Sequence, residues 1–147
     1  MKPGLHIGDT ASFSRVVTER EVVSDLFPDA GVLHGMPRVF ATAYMVGLME
    51  WACVEQIAPY FDDGEGSLGI HVDVGHVAPT PPGLTVTVES EVTAIEDNKL
   101  WFKVRLRDDH GVISEGRHAR AVVDWARFQS RVDTRRAAPV LEAEGAA

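Results

Sequence analysis

The sequence predicts one α+β domain in which a curled antiparallel sheet wraps around a single long central helix. Three observations predict it. Between Val39 and Tyr60 apolar side chains point in almost every helical direction, the pattern of a helix buried on all sides rather than laid on a surface. From Leu68 onward the chain changes to period-two alternation, which marks strands with one buried face. The length, 147 residues, is that of one domain. At 45% hydrophobic and 24% charged residues the chain is composed to bury a core, unlike a disordered segment. Its net charge of −8 repels a phosphate backbone and argues against nucleic acid as a partner. The lone cysteine, Cys53, excludes an internal disulfide and a Cys-based zinc site and suits a reducing cytosol. The first residues lack the apolar run of a signal peptide, and Glu50, Glu55 and Gln56 interrupt the Val39 to Ile57 stretch. The expectation is a cytoplasmic protein with no membrane span.

The elements follow in order. Ala11 to Val17 reads as a first strand, and Thr18-Glu19-Arg20-Glu21 has capping-box spacing before a short helix ending at Pro28. Gly31 to Arg38 is a loop. The long helix runs from Val39 to Tyr60, stopped by Pro59 and Asp62-Asp63-Gly64. In the next strand the even positions Leu68, Ile70, Val72 and Val74 are apolar, and His76 continues that inward series. After the Pro79 to Gly83 break, Leu84 to Ala94 and Leu100 to Leu106 form two more alternating strands. A three-residue loop, Glu96-Asp97-Asn98, sets their register. It places Val92 opposite Phe102 and Val88 opposite Leu106 on the buried face, with Glu91 opposite Lys103 and Glu89 opposite Arg105 outside. A two-residue loop would break all four pairings. Asp108 to Gly111 turns the chain into a last strand, Val112 to Trp125, whose irregular parity calls for a bulge. The domain is expected to span residues 1–128, and residues 129–147, rich in Arg, Ala and Glu without periodicity, read as a mobile tail. Strand, helix, then four strands is the hot-dog arrangement, although the order alone also allows other α+β folds.

Within this frame Glu50 is the most informative side chain. A carboxylate in an all-apolar helix either touches solvent near the helix middle or marks a functional gap. His76, by parity, faces the same helix, as a core histidine bonded to backbone or as the imidazole partner of Glu50 in a general-base pair. Thr42 precedes Glu50 by eight residues, about 12 Å of helical rise, so one small ligand cannot touch both from a continuous helix. Thr42 is then a helix cap, and the free N–H groups of that terminus would suit an oxygen gaining negative charge. Cys53, one turn from Glu50, reads as core filler, because a neighbouring carboxylate raises a thiol pKa. Six histidines without metal-ligand spacing predict no metal site and no cofactor. Gly64 to Gly69 lacks a P-loop lysine and turns into a strand, with Gly69 allowing close approach of a ligand to backbone. Arg120 shares the parity of His118 and Val122 and reads by default as a solvated strand charge.

Met45-Val46-Gly47-Leu48-Met49-Glu50-Trp51-Ala52-Cys53, Ala58-Pro59-Tyr60, Gly64-Glu65-Gly66-Ser67-Leu68-Gly69 and Thr80-Pro81-Pro82-Gly83-Leu84-Thr85-Val86-Thr87-Val88 together resemble the fluoroacetyl-CoA thioesterase family of hot-dog proteins. The likeness runs from about Gly4 to Phe128. It implies a homodimer hydrolysing an acyl-CoA thioester, with a hydroxyl residue, a glutamate and a histidine as the catalytic set; those roles fall on Thr42, Glu50 and His76. It further implies that Gly69, through its backbone, and Arg120 hold the small acyl group. The loop Leu33-His34-Gly35-Met36 departs from the family's aromatic lid, so Leu33 and Met36 are the lid-loop residues expected to meet the substrate. The resemblance therefore implies the reaction more securely than the acyl group. Set against hydrolysis are a non-catalytic acyl-CoA or small-ligand binding protein and a dehydratase acting on acyl thioesters.

Overall fold

The computed structural model of the protein describes residues 1–140. Five strands form one antiparallel sheet in the order β1-β3-β4-β5-β2. In chain order they are β1 (Thr10–Val16), β2 (Glu65–Val74), β3 (Thr85–Glu96), β4 (Lys99–Asp108) and β5 (Gly111–Asp124). Helix α1 is the single turn Gly31–His34, α2 spans Thr42–Ile57, and α3 spans Trp125–Ala137. The core lies between α2 and the concave face of the sheet. Met45, Leu48, Met49, Ala52, Cys53 and Ile57 pack against Val86, Val88, Val92, Leu100, Phe102, Val104 and Leu106, all buried. Fully burying an aliphatic side chain of this kind contributes about 1.5–3 kcal/mol before entropy is charged against it. Ser90 is the polar member of the inward series on β3, and its hydroxyl donates to Gln56 Oε1 at 2.7 Å while Gln56 donates to the Asp9 carbonyl. That chain of bonds ties the end of α2 to the sheet without leaving a buried polar group unpaired.

The central helix is shorter than the apolar run. Residues 39–41 are extended, because their backbone is bonded elsewhere: Phe40 N–H to the Thr80 carbonyl and Ala41 N–H to the Glu21 carbonyl. The helix is also not covered on every side. Ala43, Tyr44, Gly47 and Trp51 form an exposed stripe of α2, since one sheet can cover only one face of a cylinder. The capping-box spacing closes a turn, with Glu21 accepting from Thr18 N–H at 2.7 Å, but only a 3-10 turn, Val23–Asp25, follows it.

All four cross-strand pairs of the β3–β4 hairpin occur as expected, yet the loop does not. Glu96 pairs with Lys99 around a two-residue turn, Asp97-Asn98, with Asp97 at φ +53°. A bulge at Thr93 adds the residue that the shorter turn removes, so the register of the buried face survives. The irregular parity of β5 is a bulge at Ile113. Another at Ile70 breaks the alternation of β2, leaving Ile70 and Val72 exposed on the edge of the sheet. His76 therefore lies beyond β2 and not on its inward parity. Residues 129–137, expected as tail, belong to α3, capped by Asp124, whose carboxylate accepts from Arg127 N–H at 2.8 Å. Residues 141–147 of that expected tail lie outside the described residues. No helix among the described residues is long and apolar enough to cross a membrane.

Candidate active site

Two clusters of polar side chains flank α2. The first forms where the middle of α2 meets β2 and β5. Gly69 pairs with Arg120 across those strands, and the Arg120 guanidinium turns inward, 5% exposed. Its Nε donates to Ser67 Oγ at 2.9 Å, Nη2 to the Ser67 carbonyl at 3.0 Å and Nη1 to Glu50 Oε1 at 3.3 Å. A strand cation read as solvated is thus a buried partner for the helix carboxylate, and the pairing accounts for a charge on each element. Burial acts to lower the Arg120 pKa and the nearby Glu50 carboxylate opposes it. Glu50 Oε2 has no hydrogen-bond partner among the described residues and is free to meet a ligand.

Glu50 is laid directly against Gly69. A Cβ built at Gly69 would overlap the Glu50 carboxylate, so glycine here makes room for the carboxylate as well as opening the backbone. Gly69→Ala is expected to push Glu50 off Arg120 with melting little changed, because the carboxylate is the far end of a flexible side chain. A Gly69→Ala structure in which Glu50 still bonds Arg120 would remove this role. Cys53, beside the same cluster, is fully buried, and burial pushes its thiol pKa up to about 12, as expected of a core residue and not a nucleophile.

The second cluster lies at the start of α2. Thr42 is the first helical residue; Ala41 occupies the N-cap, and the Thr42 hydroxyl bonds His76 Nδ1 at 2.8 Å instead of capping the helix. Backbone bonds from Gly75 N–H to the Glu115 carbonyl and from Val77 N–H to the Ile113 carbonyl hold His76 on both sides. Burial lowers the His76 pKa. Its Nε2 is enclosed with no partner among the described residues.

Within one chain the expected Glu50–His76 pair does not form. Glu50 lies eight residues along α2 from Thr42, about 12 Å of rise. The imidazole nearest to its carboxylate is instead His118, with Nε2 3.8 Å from Oε1. Parity had placed His118 beside Arg120 and nothing more; the signal for its role was two polar residues in an inward series opposite a helix carrying one carboxylate. Leu33 ends up half-buried in α1, and exposed Met36 lines a surface hollow with Ser24, Asp25, Pro28, His34 and Arg38. That hollow includes neither Thr42 nor Glu50. No group of three His, Cys, Asp or Glu among the described residues is placed to hold a metal ion.

A five-stranded antiparallel sheet curled around one central helix defines a hot-dog protein. The model of the family described as fluoroacetyl-CoA-specific thioesterase matches residues 17–126, and the chain belongs to that family. It is 44% identical over 132 residues to the fluoroacetyl-CoA thioesterase of Streptantibioticus cattleyicolor, covering 90% of this chain and 95% of the relative. A solved structure of the fluoroacetyl-CoA thioesterase FlK superposes with a TM-score of 0.88 at 42% identity, covering 93% of this chain and all of that one. A point mutant of FlK, solved with fluoroacetate and CoA, matches with a TM-score of 0.83 at 44% identity over 84% of this chain and 99% of its own. A thioesterase superfamily member from Thermus thermophilus matches with a TM-score of 0.81 at 28% identity, over 92% and 96%.

Proposed function

We propose that the protein is a cytoplasmic acyl-CoA thioesterase that hydrolyses a short, activated acyl-CoA, fluoroacetyl-CoA foremost, to the free acid and CoA. The observation that carries this reading is Glu50: a carboxylate on the central helix, seated on Gly69, with one oxygen held by Arg120 and the other open. Either the carboxylate attacks the thioester carbonyl, the C–S bond breaks and water then opens the Glu50–acyl anhydride to the free acid, or the carboxylate takes the proton of the water that attacks the carbonyl directly; in both cases the thiolate leaves as CoA after gaining a proton. Oxygen-18 labelling in a single turnover separates the two, since only attack by Glu50 places the label in the enzyme. Thr42 and His76 stabilise the oxyanion and carry the proton, Gly69 N–H and Arg120 hold the acyl group, and Leu33 and Met36 border it. Assaying thiol release across acetyl-, fluoroacetyl-, propionyl- and longer acyl-CoAs tests the reading. A kcat/KM for fluoroacetyl-CoA well above that for acetyl-CoA is expected, and equal values would remove polar recognition of the fluorine.

The working form is a homodimer in which Thr42 and His76 of one protomer face Glu50 of the other. Reacting groups must come within about 3–3.5 Å of the same carbonyl, which one helix cannot arrange over two turns. The β2 edge, with exposed Ile70 and Val72, and the exposed Ala43, Gly47 and Trp51 of α2 provide the surface for a second copy. Sedimentation should give twice the 16.0 kDa chain mass at micromolar concentration. Mixing Glu50→Gln with Thr42→Val chains should restore activity that neither has alone, because one of the two sites in a mixed dimer is intact. A monomer, or no restoration in a mixed dimer, sinks the shared site.

A further inference from the structure

His118 is fully buried on β5, between β2 and α2. Its two ring nitrogens have neighbours of opposite kind. Nδ1 is 2.7 Å from the His71 carbonyl, which can only accept, so Nδ1 carries the proton. Nε2 is 3.1 Å from Arg120 Nη1, which can only donate, so Nε2 presents its lone pair. Those two contacts fix a single neutral tautomer. Arg120 Nη1 has two N–H bonds, and both are now directed: one to His118 Nε2, the other to Glu50 Oε1. Ser67 holds the same planar guanidinium through Nε and Nη2, and His118 braces its Nη1 end from the β5 side. The bulge at Ile70 creates this geometry, since it shifts the register of β2 between Gly69 and His71, so that Gly69 pairs with Arg120 while the His71 carbonyl meets the His118 ring.

We propose that His118 is a positioning residue, whose Nε2 lone pair aims the Arg120 guanidinium and through it fixes the Glu50 carboxylate for the thioester. The inference rests on the thioesterase reading for its kinetic consequence and on the hydrogen-bond geometry alone for the network. The charged and titratable groups facing Glu50 are Arg120 and His118 from β5 and Cys53 from its own helix; Ser67 and Gly69 of β2 carry no charge, and His71 is the further neighbour of His118.

Two substitutions separate the two ring nitrogens. His118→Asn keeps a donor at the Nδ1 position for the His71 carbonyl and removes the acceptor for Arg120. His118→Gln keeps an acceptor near the Nε2 position and removes the bond to His71. With fluoroacetyl-CoA, His118→Asn is expected to lower kcat by about 10-fold or more at little change in KM. His118→Gln should stay within about threefold of wild type in both kcat and KM. Equal losses in the two variants that follow their melting temperatures, or wild-type kcat in His118→Asn, would overturn the proposal. Nitrogen-15 NMR of the wild-type ring needs neither a variant nor activity. It should report a neutral, Nδ1-protonated imidazole at pH 8, and an Nε2-protonated or doubly protonated ring at that pH would overturn the network. Absence of thiol release by the wild type would sink the thioesterase reading and not this geometry, which the NMR result decides separately.

Discussion

Glu50→Gln is expected to lower kcat/KM by at least about 10²-fold, the contribution of a carboxylate that attacks or takes a proton. The amide keeps the volume of the side chain, so Gly69 still accommodates it, and its oxygen can still accept from Arg120 Nη1. What disappears is the charge. That loss also reaches folding, because Arg120 is buried and Glu50 is its one carboxylate partner among the described residues. Removing one member of a fully buried ion pair costs about 3–5 kcal/mol, but Glu50 is 37% exposed and water can reach the cation's open side, so the cost should be well below that. A urea titration beside the thiol-release assay measures both quantities. Wild-type turnover with a lowered unfolding midpoint would make Glu50 the counter-ion of Arg120 and nothing more.

The parts of the fold legible in the sequence are those where side-chain alternation carries the information. The pairing of Val88 with Leu106 and Val92 with Phe102 follows from which face is apolar, and the protein keeps that face in register even though the turn is one residue shorter. The Thr93 bulge was hidden because a bulged strand and a longer loop use the same number of residues to connect the same pairs. The exposed stripe of α2 was hidden for a related reason: Ala43, Gly47 and Trp51 are as apolar as the buried face, so composition does not distinguish the side that the sheet leaves bare. For α3 the signal was present in Asp124, a good N-cap, followed by the helix-favouring Ala126, Arg127, Gln129 and Arg131. Absence of an apolar stripe made it read as tail, although a helix on the surface needs none.

The site divides along the same line. Glu50 is conspicuous because its charge contradicts every neighbour on the helix, and Arg120 is its electrical complement, on a strand whose inward parity also holds His118. Charge balance across the core would have paired Glu50 with Arg120 and not with His76. Parity misplaced His76, since the bulge at Ile70 and the end of β2 at Val74 both intervene before it. Its partner was Thr42, four residues past the Arg38 that ends the loop, brought there by the backbone bonds of Phe40 and Ala41.

Thr42 and His76 carry the second large expected effect. His76→Ala and Thr42→Val should each cost about 10²–10⁴-fold in kcat, the range of positioned proton transfer and oxyanion support, and the double variant little more than either alone, since the two act as a hydrogen-bonded unit. Thr42→Ser, which retains the hydroxyl, should remain within about 10-fold. The pH dependence follows from burial. His76 must be neutral to accept a proton, and burial holds its pKa below the ordinary imidazole value, so activity that depends on it should persist below about pH 6.5 and fall only as the pH drops through the lowered value. Folding changes in the same direction: His76 and His118 both have folded pKa values depressed chiefly by burial, so their contribution to stability is present above the unfolded imidazole pKa and is lost as the pH falls through the folded one. Far-UV circular dichroism at each assay pH distinguishes the two losses. An acid limb of kcat/KM that lies above the unfolding transition and is absent from the residual activity of His76→Ala assigns the proton to His76. A limb that His76→Ala retains unchanged assigns it elsewhere and leaves the 2.8 Å contact with Thr42 as a structural bond.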